Sequence, residues 1–373
     1  IEKHARMTED AEAKLLEEAV QTSYRKGGES ASISSDVVSK ETVMNKIHTL
    51  NFPRVEPQME KKVVKYLYID ADEDHVSLQY INKKGDIKKP RTNTIMPKLI
   101  YVYEGITNEN GRNKLINKKH FGGVYEGGKE IEQLWKEVEE YIEAAYDTEE
   151  LIKIYINGDG AAWIKSGQRI LTKAKFVLDR FHMHKYIIGA TSHLLDSVED
   201  ARSEIYRAVY KKKKYKAEEV FEKIITITES ESKRKTVEAA KEYILGNWAG
   251  IMQWVKDKNE EVQCSAEGHI SHVFADRMSS RPLGWSRIGA DKMSRLRIYE
   301  KNGGNMLDLV RYQKKELPLA AGCEEVIYSS NQMFLAERKN REALGVLADM
   351  PVYSIAYPQI RKIAALKNHI WGL

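Results

Sequence analysis

Leu151-Ile-Lys-Ile-Tyr-Ile-Asn-Gly-Asp159-Gly-Ala-Ala-Trp-Ile-Lys165 is the stretch whose reading decides the fold. Ile152, Ile154 and Ile156 alternate, so it opens as a strand. The strand runs into Gly158-Asp159-Gly160. Glycines on both sides of a carboxylate permit a sharp turn and let another group approach the backbone closely. A short amphipathic run follows from Ala161. Asp159 therefore stands at the carboxyl end of a strand, where open α/β sheets place their ligands. Lys175-Phe-Val-Leu-Asp179-Arg-Phe-His182-Met-His184-Lys185 then reads as a second short strand ending in polar residues.

Upstream, Ile131, Leu134, Trp135, Val138, Ile142 and Ala145 share one face of a helix expected over 130–146. Before it, Lys118 to Lys129 reads as a Gly-rich loop. Val63–Ile69, Val76–Tyr80 and Leu99–Glu104 read as three strands of an antiparallel meander. The order β-β-β-α-β-α-β predicts a mixed sheet with helical crossovers. Further back, residues 9–25 read as a helix ended by Gly27-Gly28. Ser39 caps a second helix with Val43 and Ile47 on its apolar edge. Two such helices fit either a helix-turn-helix end, with Lys40 and Lys46 as DNA contacts, or a generic helical hairpin. Asn51 to Lys61, with Pro53 and Pro57, reads as a linker.

Downstream, Phe181 to about Asn259 is almost wholly helical in pattern. Its run Lys211–Lys214 reads as a solvated face, with phosphate contact the lesser alternative. Glu267 heads the inward face of a further helix that Ser265 would cap, with Ile270 and Phe274 on the same side. Arg277, Arg281 and Arg287 then flank Trp285 in a turn-rich strip that could face DNA, although Trp285 and Trp163 read most simply as packing residues. A helix near 290–301 ends at Asn302-Gly303-Gly304. The expected organisation is 1–50 N-terminal helical, 62–187 first part of the core, 188–262 helical insertion, 263–305 second part of the core, and 306–373 helical tail.

At 373 residues the chain can bury a large core, and a net charge of +5 permits a nucleic-acid partner without demanding one. No apolar run approaches a bilayer span and no signal peptide is visible, so the expectation is a cytoplasmic protein with no membrane partner. A chain that starts at Ile1 reads as a fragment. Two cysteines, Cys264 and Cys323, give no framework for disulfides or zinc. His182 and His184, two apart, would point different ways on a helix. Structural or DNA-positioning roles rank above zinc for them, and a core-edge or phosphate-side role for His269 and His272.

Three carboxylates stand at element ends: Asp70, Asp159 and Glu267. Each alone is an ordinary surface acid. Together, on a sheet that brings two strand ends side by side, they form a hard oxygen set for Mg²⁺ or Mn²⁺. Metals so held activate a water or a 3′-hydroxyl and stabilise the leaving oxygen of a phosphodiester. Asp70, Asp72 and Asp74 alternate and could share a face. Asp70 directly follows the apolar run and is chosen first, with Asp72 in reserve.

Val64-Lys-Tyr-Leu-Tyr-Ile-Asp70-Ala-Asp-Glu-Asp-His75, Tyr155–Ile164 and Ser265-Ala-Glu267-Gly-His-Ile-Ser-His272 resemble the ISLre-type insertion-sequence transposases of bacteria, relatives of the Mutator-like DDE transposases. The resemblance covers nearly the whole chain. It implies an α/β fold with an RNase H-like mixed sheet flanked by helices, an all-helical insertion before the last acid and a helix-turn-helix-like start. It also implies Asp70, Asp159 and Glu267 as the catalytic metal ligands. Asp179-Arg-Phe-His182 matches a motif of Asp or Cys, two residues, then His, found in many such transposases. The implied activity is Mg²⁺-dependent cleavage and strand transfer on double-stranded DNA, at element ends and target, by a homo-oligomer. A metal-dependent nuclease of the same fold without strand transfer, and an inactive DNA-binding relic, are the rival readings.

Overall fold

The computed structural model describes residues 7–32, 37–53, 60–80, 93–109, 111–257, 271–280 and 284–315. Glu267, Arg281, Ser265 and His269 lie outside the described residues. A five-stranded mixed sheet is the frame. Its strands are β1 (Tyr66–Glu73), β2 (Lys98–Tyr103), β3 (Lys119–Gly123), β4 (Lys153–Gly158) and β5 (Ala174–Leu178), in the order β3-β2-β1-β4-β5. β1, β2 and β3 pair antiparallel, while β4 and β5 run parallel to β1.

The expected succession of three strands, a helix, a strand, a helix and a strand survives, but one of the strands is replaced. Val76–Ser77 pairs with Thr94–Ile95 in a separate two-stranded sheet rather than joining the main one. The third meander strand is instead Lys119–Gly123, inside the expected Gly-rich loop. The glycines are there for space. A Cβ on Gly122 would lie 2.0 Å from the Lys98 carbonyl oxygen, so β2 and β3 can pair only with a bare backbone at that point. A second hairpin, Gly105–Glu109 with Arg112–Ile116, separates β2 from β3.

β1 also begins and ends later than its apolar run. Val63 is exposed, and the strand continues through Asp70, Ala71 and Asp72. Its two faces differ sharply. Leu67, Ile69 and Ala71 are fully buried on one side. On the other, Tyr68 stacks between Tyr103 of β2 (centroids 5.5 Å apart) and Tyr155 of β4 (5.6 Å). Offset ring stacking stabilises neighbouring strands beyond the area it buries.

α4 (Gly128–Ala145) crosses from β3 to β4, as its apolar spacing predicts, and buries Leu134, Trp135 and Val138. α5 (Ala162–Ile170) joins β4 to β5. Gly167 of α5 lies against the Trp135 indole, whose Nε1–H donates to the Trp163 carbonyl at 2.9 Å. After β5 come α6 (Arg180–Thr191), α7 (Val198–Tyr210), α8 (Lys214–Ile227), α9 (Glu231–Gly246) and α10 (Trp248–Lys256). No strand interrupts residues 180–257, and α10 returns to the sheet with Gly250 against Phe176.

At the N-terminus, α1 (Glu9–Gln21) stops at Thr22 and a separate α2 (Tyr24–Ser30) follows. The expected single helix over 9–25 is thus two. Gly27 and Gly28 sit buried within α2 instead of ending a helix, because side chains there would strike α1 and the Val38 carbonyl. Ser39 caps α3 (Lys40–His48), its Oγ accepting from Thr42 N–H, and Val43 and Ile47 are fully buried, as expected. These helices pack on α11 (Arg287–Lys301), which also lies along β3. α12 (Met306–Lys315) follows. The chain divides into two compact units, 1–313 and 314–373, and nearly every described residue belongs to the first. No described helix is long and apolar enough to cross a membrane.

Candidate active site

The parallel pairing of β1 with β4 sets Tyr68 beside Tyr155, Ile69 beside Ile156 and Asp70 beside Asn157. Two residues further, that register brings Asp72 and Asp159 together at the carboxyl ends of adjacent parallel strands. They sense each other electrostatically. Burial, reinforced by the Asp159 charge, pushes the Asp72 carboxyl up to about 6. The Asp159 carboxylate is aimed by its own loop: Oδ1 accepts from Ala161 N–H at 2.9 Å, an Asx turn that leads into α5.

Asp70 does not join the pair. Its side chain is fully buried and its oxygens are already engaged. Tyr101 Oη–H donates to Oδ2 at 2.9 Å, while Tyr103 Oη–H and Asn157 Nδ2–H donate to Oδ1 at 3.2 and 2.6 Å. Asp70 thus ties the tyrosine face of three strands together beneath the acids. Asp70, the first choice as a ligand, is thus engaged by strand neighbours, and Asp72, the reserve candidate, is the acid coupled to Asp159. The sequence held the signal: Tyr68-Ile-Asp-Ala-Asp72 and Tyr155-Ile-Asn-Gly-Asp159 are parallel pentads, each ending in the outer acid. Glu73 and Asp74 are occupied elsewhere. Glu73 pairs with the buried Lys98 ammonium, and Asp74 Oδ1 accepts from Ser279 Oγ–H at 2.8 Å.

Asp179 and His182 complete the group. Asp179 is the N-cap of α6, its Oδ1 accepting from Phe181 N–H at 3.1 Å. Its Oδ2 receives His182 Nδ1–H at 2.7 Å. The spacing of three is what one helical turn needs for a cap to reach a ring above it. That hydrogen bond, aided by the charges of Asp159 and Asp72, raises the His182 pKa above its usual range. His184 points elsewhere, its Nδ1 bonded to the Tyr206 hydroxyl.

The helical block braces the Asp159 loop from outside. Tyr243 of α9 stacks on Tyr186 of α6 at 3.7 Å and donates its hydroxyl hydrogen to the Asp159 carbonyl. Burial and then the Asp159 charge push the Tyr243 pKa far upward, so the hydroxyl stays a donor. Gly160 has φ +94°, and Asn247 fills the space where its Cβ would be.

Two adjacent, charge-coupled carboxylates are hard oxygen donors that fit a divalent cation better than they fit each other. Among the described residues no three His, Cys, Asp or Glu side chains converge as a metal site on their own. The expected third ligand, Glu267, lies outside them.

The basic residues divide. Arg277 is buried: its Nε–H donates to the Ala19 carbonyl at 3.2 Å and its guanidinium lies 4.8 Å from the Trp285 ring centre and 5.7 Å from that of Tyr24. Its proposed place in a DNA-facing strip is corrected; it clamps α1 and α2 to the Trp285 loop. Trp285 is itself buried, with its indole N–H on the Met278 carbonyl, the expected packing role. Trp163 is buried as well. Arg287 is half-buried and pairs with Glu126 at 2.6 Å, Lys46 pairs with Glu12 at 2.6 Å, and Lys40 lies exposed on α3. His272 is exposed rather than at a core edge.

The fold and site define a mixed α/β protein with paired acids at the carboxyl ends of two parallel strands. The chain belongs to UPF0236, an uncharacterised protein family, whose profile matches residues 1–316. Among its relatives is a UPF0236 protein carried at eleven loci in Caldanaerobacter subterraneus subsp. tengcongensis, 41% identical over 318 residues, 85% of this chain and 64% of the relative. A second from the same organism, at four loci, is 40% identical over 318 residues, again 85% of this chain and 64% of the relative. The chain thus spans under two thirds of the length of these relatives. A solved structure described as the Drosophila P element transposase strand transfer complex aligns over 99% of this chain and 92% of its own, at 9% identity and a TM-score of 0.28. That score is too low to assign a fold.

Proposed function

We propose that this chain carries the catalytic core of a DNA transposase of the ISLre type, with an RNase H-like sheet and a metal-binding triad of Asp72, Asp159 and Glu267. The observation that carries the reading is the pairing of Asp72 with Asp159 across β1 and β4 of a sheet ordered β3-β2-β1-β4-β5. Three antiparallel strands followed by two strands parallel to the first support the RNase H-like mixed sheet that the resemblance implies. The multiplicity of loci in one genome is what mobile elements produce.

Bound between these carboxylates, Mg²⁺ or Mn²⁺ would polarise the attacking water or 3′-hydroxyl and stabilise the leaving oxygen of the phosphodiester. The chain's own groups do the rest. The β1–β4 register, whose last pair is Asp70 with Asn157, sets side by side the strand ends that carry Asp72 and Asp159. Asp70, Tyr101, Tyr103 and Asn157 form a rigid floor beneath them. His182, anchored on Asp179, has its protonated form favoured next to the acids, and in that form it would offset their charge and can face an incoming phosphate. Tyr243 and Asn247 hold the Asp159–Gly160 turn. The partner is double-stranded DNA, at element ends and target, engaged by a homo-oligomer.

The test is cleavage and joining of a labelled element end in Mg²⁺, with Asp159→Asn and Glu267→Gln as variants. Cleavage followed by joining, lost by several orders of magnitude in both variants while DNA binding persists, is expected. Cleavage without joining in the intact protein would favour the nuclease reading, and binding with no cleavage the relic.

A further inference from the structure

We infer that the turn between α7 and α8, Lys211–Lys214, is a phosphate-contact element, and that a DNA duplex lies along the exposed face of α6 from the acid pair to this turn. The direction of that path rests on the proposed reading of the acids; the phosphate contact itself does not.

Lys211, Lys212, Lys213, Lys214 and Lys216 are all exposed, and none forms an ion pair among the described residues. Several cations elsewhere in the helical block are matched. Arg202 pairs with Glu199, Lys235 with Glu231, and Lys241 with both Glu218 and Glu222, which withdraws Glu218, the first acid of α8, from the lysine turn. The first turn of α8 contains no acidic residue. Adjacent like charges repel, and at a positive helix start lysines are placed against the helix dipole. A cluster held in this way is stabilised by an external anion of many charges.

The turn is also joined to the acid site by continuous contact. Asp179 caps α6, and the next residue, Arg180, lays its guanidinium 4.6 Å from the Trp254 ring centre. Trp254 meets Tyr210 edge-on at 5.9 Å, and Tyr210 is the last residue of α7, directly before Lys211. The His184–Tyr206 bond ties α7 to α6 along the same side. Arg180, Phe181, His184 and Lys185 are exposed on α6. Cationic side chains interleaved with aromatic ones suit a polynucleotide backbone, whose phosphates take the charges while rings contact sugar or base. Phosphodiester DNA is therefore the occupant that this surface and the acid pair have in common.

The experiment replaces Lys211→Gln, Lys213→Gln and Lys214→Gln together. Lys212, at φ +58°, is left alone to keep the turn. Affinity for a duplex DNA, and for a duplex RNA of the same length, is measured across salt concentrations in metal-free buffer, so that the outcome does not depend on catalysis. Each phosphate contact contributes about 0.9 to the slope of log affinity against log salt. The triple variant is expected to lose about 2–3 units of that slope on DNA. An unchanged slope, with the variant melting like the parent protein, overturns the contact. A clear preference for RNA overturns the choice of DNA. A reduced slope in a protein that never cleaves DNA would keep the lysine contact while removing the catalytic reading.

Discussion

Asp72 sits where its charge is costly. Burial and the neighbouring Asp159 charge raise its pKa from 3.8 to about 6, so between these values the folded chain binds a proton that the unfolded chain has released. Stability from this group is therefore full below about pH 4 and lost as pH rises through 6, by at most about 3 kcal/mol. Asp72→Asn should consequently raise the melting temperature at pH 7 in metal-free buffer. The gain should fade towards pH 4. A variant that is less stable than the parent at pH 7, or equally so at both pH values, would show that Asp72 is not under this strain. A residue that destabilises its own fold is a functional signature. The sequence conceals this at the first acid because the apolar run stops at Ile69 while the strand does not. The strand continues, since Tyr101, Tyr103 and Asn157 satisfy Asp70 inside it. The pentads ending at Asp72 and Asp159 carry that information only once the register between them is known.

At the scale of elements, the Asp159 turn is shaped from two sides: by Gly160 in a left-handed conformation, and by Asn247 pressed against it from the α9–α10 junction. Gly160→Ala should cost about 1–3 kcal/mol, partly from φ and partly from the contact with Asn247. Adding Asn247→Ala should recover only the second part, which a double-mutant cycle on thermal stability can measure. Full recovery would mean that backbone strain contributes nothing. Elements with strong periodicity, such as α4, β4 and β5, were legible from sequence within a residue or two. β3 was not, because its glycines are set by how closely β2 approaches rather than by local preference. Val76–Tyr80 alternates as well as any core strand, yet its partner is Thr94–Ile95, and Leu78 bridges to Trp285. Only tertiary pairing distinguishes the two cases. Arg277 was misplaced for a related reason: a basic strip in sequence says nothing about a guanidinium enclosed by Tyr24 and Trp285.

For the molecule as a whole, sheet, acids and helical block act as one device if a divalent cation links them. Binding to the native state alone stabilises by about 2.7 kcal/mol when the free metal is a hundredfold above its dissociation constant. Mg²⁺ or Mn²⁺ should raise the melting temperature of the parent chain and leave that of Asp159→Asn unmoved. Equal stabilisation of both would place the metal elsewhere. The most direct measurement, however, is Mg²⁺-dependent nicking of duplex DNA by Asp72→Asn and Asp70→Asn side by side, each first shown to be folded and to bind DNA. Loss of nicking by several orders of magnitude in Asp72→Asn, with Asp70→Asn retaining activity within about tenfold, is the predicted result. Near-normal nicking by Asp72→Asn would contradict the pairing of Asp72 with Asp159 as the catalytic centre.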